Sequence, residues 1–377
     1  MERFTGWLCR KCWKVNPRKV VFVNHMGRGY RCNPKYVAEA LLASGANLEL
    51  VWMGPLGEDR LPNGISHSSL HGLGAIRHLA TAAAIVDNMS LKRFLEKGFV
   101  KKQGQTYIQT WHGSMGIKRI GSSLAHIADE MKLIDYLVSN SDFETQVYRE
   151  NWTGTYAIKE FGHPRNDIFF CDASAAKGKV SSRYSLAAGT KTILYAPTFR
   201  DDGRAFSGGF DCAALLAALA KRFRGEWAIL FRAHPKTKKE RLSTLDEDTR
   251  RHVVDVSSYD DIQELMAFAD AMITDYSSCI YDFVLTGRPG FIYAPDLKDY
   301  DESRGFYYPL SETPFPVAQD MAGLASCIET FDDVSYPEKV ARFLKARGCK
   351  ERGCASRLTA QLVLDSIKAT KEGKFAT

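Results

Sequence analysis

No stretch of this 377-residue chain approaches the roughly 20 consecutive apolar residues that a membrane-crossing helix requires. Several signatures with a firm mechanical basis are missing as well. There is no GxxxxGK[ST] loop, which leaves P-loop ATPases and kinases unsupported, no GxSxG elbow and no HExxH pair. The nearest approach to a dinucleotide fingerprint, Gly27-Arg28-Gly29, lacks a third glycine. Zinc-finger and RNP-like patterns are absent, and a formal charge of +7, from 51 Lys and Arg against 44 Asp and Glu, is too mild to call for nucleic acid. That surplus suits phosphates, an acidic polymer or an anionic membrane surface. Nine cysteines, odd in number and irregularly spaced, with no secretory signal, fit a reducing cytoplasm rather than a disulfide framework. Cys9 and Cys12 have CxxC spacing but no second ligand pair, so zinc or redox use has little support.

What the chain does contain is an alternation of short apolar runs and helical periodicity. Strands are expected at Val20–Val23, Leu48–Trp52, Ala84–Val86, Tyr107–Thr110 and Tyr136–Val138. Helices are expected at Pro34–Ser44, Ile76–Thr81 and Ser141–Glu150, the last capped by Ser141 or Asp142. After the polar, small-residue stretch Asp172–Gly189 a second series begins. Its strands are Thr192–Ala196, Ala228–Arg232, Val253–Val256, Ala271–Thr274 and Gly290–Tyr293. Its helices are Cys212–Phe223, Asp261–Phe268, Ile280–Leu285 and Ala322–Phe331. Two successive βα series imply an α/β protein with two parallel sheets wrapped by helices and a cleft between them. The expected division is a basic, aromatic segment over 1–18, a first domain over 19–172, a second over 190–340 and a helical closure over 341–377. In the first segment Phe4, Trp7, Leu8 and Trp13 alternate with Arg and Lys, which suits either an anionic membrane surface or packing on the protein itself.

The most informative segment is DAMITDYSSCIYDFVLTGRPG, where a strand ending at Thr274 runs into Asp275-Tyr276-Ser277-Ser278 and then a helix. Paired hydroxyls beside unpaired N–H groups at such a junction suit a phosphate or pyrophosphate; a simple N-cap is the alternative. Three histidines, His112 in QTWHG, His163 in FGHPRND and His234 in FRAHPK, each follow an apolar run and adjoin Gly or Pro. Ligands in open α/β sheets bind beyond the carboxyl ends of strands, so side chains there look into the cleft. Arg200 and Arg232 stand at or just past strand ends, and Gly113 and Gly116 supply flexible points in the WHG loop. So much positive charge facing paired serines favours a substrate with two phosphates.

In order along the chain, QTWHGSMGIKRIG, FGHPRNDIFF, ILYAPTFRDDG, FRAHPK and ADAMITDYSSCIYDFVLTGRP resemble the CDP-glycerol glycerophosphotransferases of teichoic acid synthesis. The resemblance covers about residues 105–310 and implies a GT-B-like fold of two Rossmann-like domains. It implies a CDP-glycerol donor held mainly by the second domain and a lipid-linked polyol-phosphate or glycan acceptor approaching from the first. His112 and His234 match the family's active-site histidines. Ser277 and Ser278 match its pyrophosphate-binding turn, with Asp275 supporting it and Thr274, Gly113 and Arg165 alongside, while Arg200 and Arg232 would neutralise phosphate. His112 would be the general base for attack by an acceptor hydroxyl, with CMP leaving. The enzyme would work on the cytoplasmic face of the membrane as a peripheral protein. The sequence calls for no cofactor; a divalent metal such as Mg2+ could bridge the pyrophosphate. Two departures stand out: Phe199 where the family often has Trp, and His163 where another residue is common.

Two other functions remain open from sequence alone. A glycosyltransferase or epimerase on the same fold would act on a UDP- or GDP-sugar and leave CDP-glycerol untouched. A non-catalytic binder of anionic polymer would be indifferent to replacing His112. The polyol, the acceptor, single addition against polymerisation, and the oligomeric state are not encoded in any motif.

Overall fold

A computed structural model describes residues 2–24, 29–57, 60–120, 128–198, 210–233 and 247–372. The first seven strands are β1 (Asn16–Val23), β2 (Glu49–Met53), β3 (Ile65–Ser68), β4 (Ala82–Asp87), β5 (Thr106–Gln109), β6 (Tyr136–Val138) and β7 (Ala157–Lys159). They form one sheet in the order β3-β2-β1-β4-β5-β6-β7. The other six are β8 (Lys191–Tyr195), β9 (Trp227–Phe231), β10 (Val253–Asp255), β11 (Ala271–Thr274), β12 (Gly290–Tyr293) and β13 (Val317–Ala318). Their order is β10-β9-β8-β11-β12-β13. Every strand pairing is parallel. Both sheets therefore follow the 3-2-1-4-5-6 Rossmann order, and each has a switch point beside its first strand.

The apolar runs fold this way because both faces of each sheet are covered. Val21, Val51 and Ile85 enter one core cluster, while Val20, Phe22, Trp52 and Val86 enter another on the opposite face. The second sheet divides likewise, with Ile193, Ile229 and Ile273 on one side and Leu194, Leu230 and Met272 on the other. Buried on both faces, such strands lose the polar alternation of half-exposed ones. The strands expected from sequence are all present within one or two residues except the first, which begins four residues earlier at Asn16, and Ser141 caps its helix by accepting from Glu144 N at 3.1 Å. Three short strands, β3, β7 and β13, were not expected. The stretch between the two series is not bare linker: it carries the helix Ser174–Tyr184, of which Val180 is buried.

Several links join the halves. Beyond the WHG loop, residues 115–119 lie along 305–308: Tyr307 N donates to Ile117 O at 2.8 Å and Tyr308 Oη to Met115 O at 2.5 Å. Lys35, on helix Cys32–Ala43, is buried 2.8 Å from Asp261 and 2.5 Å from Glu264 of the second half. The last helix, Ala355–Lys371, returns to the first sheet and packs Ala360, Val363 and Ile367 beside Val20 and Phe22.

Candidate active site

Two adjoining cavities open between the carboxyl ends of the two sheets. One, of about 490 Å³, is lined by the Trp111–Gly116 loop, Lys118 and several aromatics, among them Phe143, Tyr300 and Tyr307. The other, about 260 Å³, is lined by Arg31, Arg165 and Arg232 together with Cys32 and Asp261. His112, Thr198, Ser277 and Ser278 line both. These four residues form the wall shared by the two cavities.

His112 follows β5 through Thr110 and Trp111. Its Nδ1 lies 2.7 Å from the carbonyl oxygen of Asn88, just past β4. A carbonyl only accepts, so Nδ1 carries the proton and the lone pair of the neutral ring sits on Nε2. Burial pushes the imidazole pKa down to about 4, opposed by the Asn88 bond and aided by the charges of Arg165, His163 and Lys118. The ring is thus neutral at neutral pH, with its lone pair on Nε2. Its loop is unusual in backbone: Trp111 has φ +53°, and Cys32 across the second cavity has φ +60°. Left-handed backbone at non-glycine residues costs about 1–3 kcal/mol and concentrates at functional sites.

Gly113 and Gly116 are not the flexible points expected of them. A Cβ on Gly113 would lie 2.7 Å from Trp111 Nε1. One on Gly116 would lie 2.9 Å from Ser114 O and 3.3 Å from Ser278 Cβ. Both glycines serve close approach, and the second brings the histidine loop against the serine turn.

In that turn Ser278 heads the helix Cys279–Phe283 without a side-chain capping bond, while Ser277 Oγ accepts from Cys279 N at a long 3.5 Å. The simple N-cap reading is therefore not realised for Ser278. The helix is also shorter than expected, five residues followed by a 3₁₀ turn over Val284–Thr286, so its dipole contributes less than a long helix would. Asp275 accepts from Thr198 N at 3.0 Å and Thr198 Oγ1 at 2.7 Å, fastening the turn to the loop after β8. Thr274 departs from its expected place among substrate-binding residues. It is fully buried, lines neither cavity, and donates its hydroxyl to Ala196 O at 2.6 Å.

Arg232 lines the smaller cavity, but its guanidinium also donates to Tyr259 O at 2.6 Å and Val256 O at 3.2 Å. Burial, with Arg31 beside it, lowers its pKa to about 10, which leaves it charged at neutral pH. Arg165 differs from a surface anion binder: it is 2 % exposed and pairs with Asp282 at 2.9 Å. His163 does not look into the cleft at all. It is fully buried with its ring Nε2 3.0 Å from Glu144, and its backbone N–H donates to Glu351. His234 and Arg200 lie outside the described residues. Arg31, Cys32, Asn88 and Thr198 were missed from sequence, although all follow strands or their exit loops, the criterion that selected the histidines.

A family model described as CDP-glycerol:poly(glycerophosphate) glycerophosphotransferase matches residues 7–363. The teichoic acid poly(glycerol phosphate) polymerase of Staphylococcus epidermidis is 29% identical over 386 residues, 94% of this chain and 51% of the polymerase. This chain thus spans about half the length of that relative. The teichoic acid glycerol-phosphate transferase of Staphylococcus aureus is also 29% identical, over 92% of this chain and 93% of its own. Among solved structures, wall teichoic acid polymerase TagF, in a histidine-to-asparagine variant soaked with CDPG, superposes with a TM-score of 0.83. It is 28% identical over 98% of this chain and 95% of that one. The two parallel sheets adopt the same GT-B-like fold, as the motifs implied. With sequence and fold both matched, the chain belongs to the CDP-glycerol:poly(glycerophosphate) glycerophosphotransferase family, the polyol-phosphate transferases of teichoic acid synthesis.

Proposed function

We propose that the protein transfers glycerol phosphate, or a related polyol phosphate, from CDP-glycerol to a hydroxyl of a lipid-linked teichoic-acid or capsular acceptor, releasing CMP. The observation that carries this reading is the shared wall: a neutral histidine and two serine hydroxyls stand where an arginine-lined cavity meets an aromatic-lined one. The pyrophosphate would occupy the side of Arg31, Arg232 and the Ser277–Ser278 turn. The acceptor would enter among Trp111, Tyr300 and Tyr307, whose ring faces suit polyol and sugar C–H groups. His112 Nε2 takes the acceptor proton as its oxygen bonds to the β-phosphorus; the bond from that phosphorus to the CMP oxygen breaks. Positioning and charge stabilisation supply most of the acceleration in such transfers. Arg200 and His234, placed by motif, would add to the phosphate-binding side.

Among the described residues no three His, Cys, Asp or Glu side chains group as a metal site. A divalent cation such as Mg2+, if the reaction uses one, would be held chiefly by the pyrophosphate oxygens; dependence of turnover on EDTA tests this.

Work at the inner face of the membrane is part of the proposal. No described helix is long and apolar enough to cross a bilayer. The first helix, Glu2–Lys11, buries Cys9 and presents Phe4 and Trp7, stacked at 6.2 Å and 57% and 52% exposed. Leu73, on the helix Gly72–Thr81 that packs against the first helix, is also exposed, and Arg10, Lys11 and Lys14 are exposed. Phe4→Glu with Trp7→Glu should abolish sedimentation with anionic vesicles; unchanged sedimentation removes the membrane assignment.

The test of the reaction is CMP release from CDP-glycerol with a lipid-linked acceptor analogue, beside His112→Ala and Ser278→Ala, with CDP-ribitol and UDP-sugars in parallel. Acceptor-dependent CMP release, lost in His112→Ala, is the expected result. Silence with CDP-polyols and turnover of a UDP-sugar would refute the assignment.

A further inference from the structure

We infer that Asn33, Arg165 and Asp282 form a clamp that positions His112 and ties it to the Ser277–Ser278 turn. The kinetic arm of its test rests on the transferase reading above; the spectroscopic arm does not.

The loop carrying His112 is held by its carbonyls. Asn33 Nδ2 donates to Thr110 O at 2.9 Å and to Trp111 O at 3.0 Å. Arg165 Nη2 donates to Gly113 O at 2.5 Å. Carbonyls on both sides of His112 are thereby fixed, and Trp111 N donates to Gln109 Oε1 at 2.9 Å from behind. This grip holds Trp111 in the left-handed backbone that a bulky aromatic seldom adopts.

The clamp is continuous. Asn33 Oδ1 accepts from the backbone N of Arg165 at 3.1 Å. The Arg165 fork reaches both oxygens of Asp282, Nε at 2.9 Å and Nη2 at 3.2 Å. Asp282 belongs to the helix Cys279–Phe283, which starts directly after Ser278, and is also held by Asn166 and Gln263. Asn33, Arg165 and Asp282 are 0%, 2% and 3% exposed. One side chain thus grasps both the base loop of the first half and the serine-bearing element of the second. Burial works against the Arg165 charge, but the charge and hydrogen bond of Asp282, together with Cys32 and Glu144, outweigh it and keep the guanidinium protonated.

Arg165 is accordingly a positioning residue rather than a substrate ligand. Its planar fork serves Asp282 and Gly113 together, which a lysine ammonium cannot do in the same geometry. A group seated on Ser277 and Ser278 would press on the histidine loop through this chain of bonds, so donor binding and base alignment are coupled.

The test uses the full chain with Arg165→Lys and Asn33→Ala, the second removing no charge and so keeping the comparison valid if the first fails to fold. A loss of about 10²-fold in kcat is expected, with the KM for CDP-glycerol within about threefold of wild type. Folded variants with wild-type kcat, merely lowered in melting temperature, would overturn the clamp. The second arm is 15N-histidine NMR, with the His112 signals assigned by their loss in His112→Gln. Wild type should show one tautomer, protonated at Nδ1, and both variants should mix tautomers and titrate at higher pH. Unchanged His112 nitrogens in both variants would also overturn it. A wild type silent with every CDP-polyol would sink the transferase reading instead, and the NMR result would still decide the clamp.

Discussion

Gly116→Ala is the smallest change that tests whether the cleft geometry governs turnover. The new Cβ would start 2.9 Å from Ser114 O and 3.3 Å from Ser278 Cβ, whereas ordinary contacts begin at 3.4 Å. Ser114 O is backbone of the same loop, so relieving that contact means a rearrangement of about 0.5 Å within the loop that carries His112, while the Ser278 contact asks for only about 0.1 Å more between loop and serine turn. A misplacement of 1 Å at a reacting centre can cost about 10²-fold in rate, so half that displacement should cost about tenfold, or about 1.4 kcal/mol of barrier. Gly116 has no positive φ, so backbone strain does not confuse the result. The assay is single-turnover CMP release at saturating CDP-glycerol. Gly178→Ala, in helix Ser174–Tyr184 with open space around its Cβ, is the control and should leave kcat untouched. A folded Gly116→Ala enzyme with kcat within about twofold of wild type would refute the claim that this close approach sets the alignment.

Other expectations follow from burial and charge. In the proposed mechanism the neutral form of His112 is the base, and protonation abolishes it. With its pKa lowered to about 4, the acid limb of kcat/KM should fall near pH 4, and a limb at the ordinary histidine value of 6.5 would contradict the burial argument. Asp87, fully buried against Glu130, has its pKa raised from 3.8 to about 7 by burial first and by that neighbour second. The folded protein therefore keeps a proton there that the unfolded chain releases, so this site costs stability progressively as pH rises from 4 through 7. Asp87→Asn should accordingly lower the melting temperature less at pH 8 than at pH 5; an equal drop at both would count against it. Lys35→Met leaves Asp261 and Glu264 without the cation buried between them and should destabilise by about 3–5 kcal/mol in urea unfolding. A loss below about 1 kcal/mol would mean that water or Lys179 replaces it.

The sheets were legible because their central strands are buried on both faces and read as continuous apolar runs such as Val20–Val23 and Ala271–Thr274. The strands that escaped notice are β3, β7 and β13. Ile65-Ser66-His67-Ser68 sits at a sheet edge and buries only its first residue, so it carries almost no apolar signal. His112, Ser277 and Ser278 could be picked out because a local rule, position past a strand end, coincides with their place on the wall shared by the two cavities. His163 satisfies the same rule and is nonetheless buried against Glu144. What separates the two histidines is which side chains from distant elements surround them, and no local pattern encodes that. Arg165 and Asp282 are 117 residues apart, and neither periodicity nor spacing announces their pairing.

The return of helix Ala355–Lys371 to the first sheet has a consequence for how the protein is made. Ala360, Val363 and Ile367 complete the core over Val20, Phe22 and Leu41, so that face stays open to water until the ribosome has passed residue 367. The first half is translated early but can finish folding only late, after the whole second sheet has been synthesised between its parts. During that interval its apolar face offers a surface for chaperones or for aggregation. Chains stopped short of residue 355 should be found bound to chaperones or in inclusion bodies rather than as a folded first half.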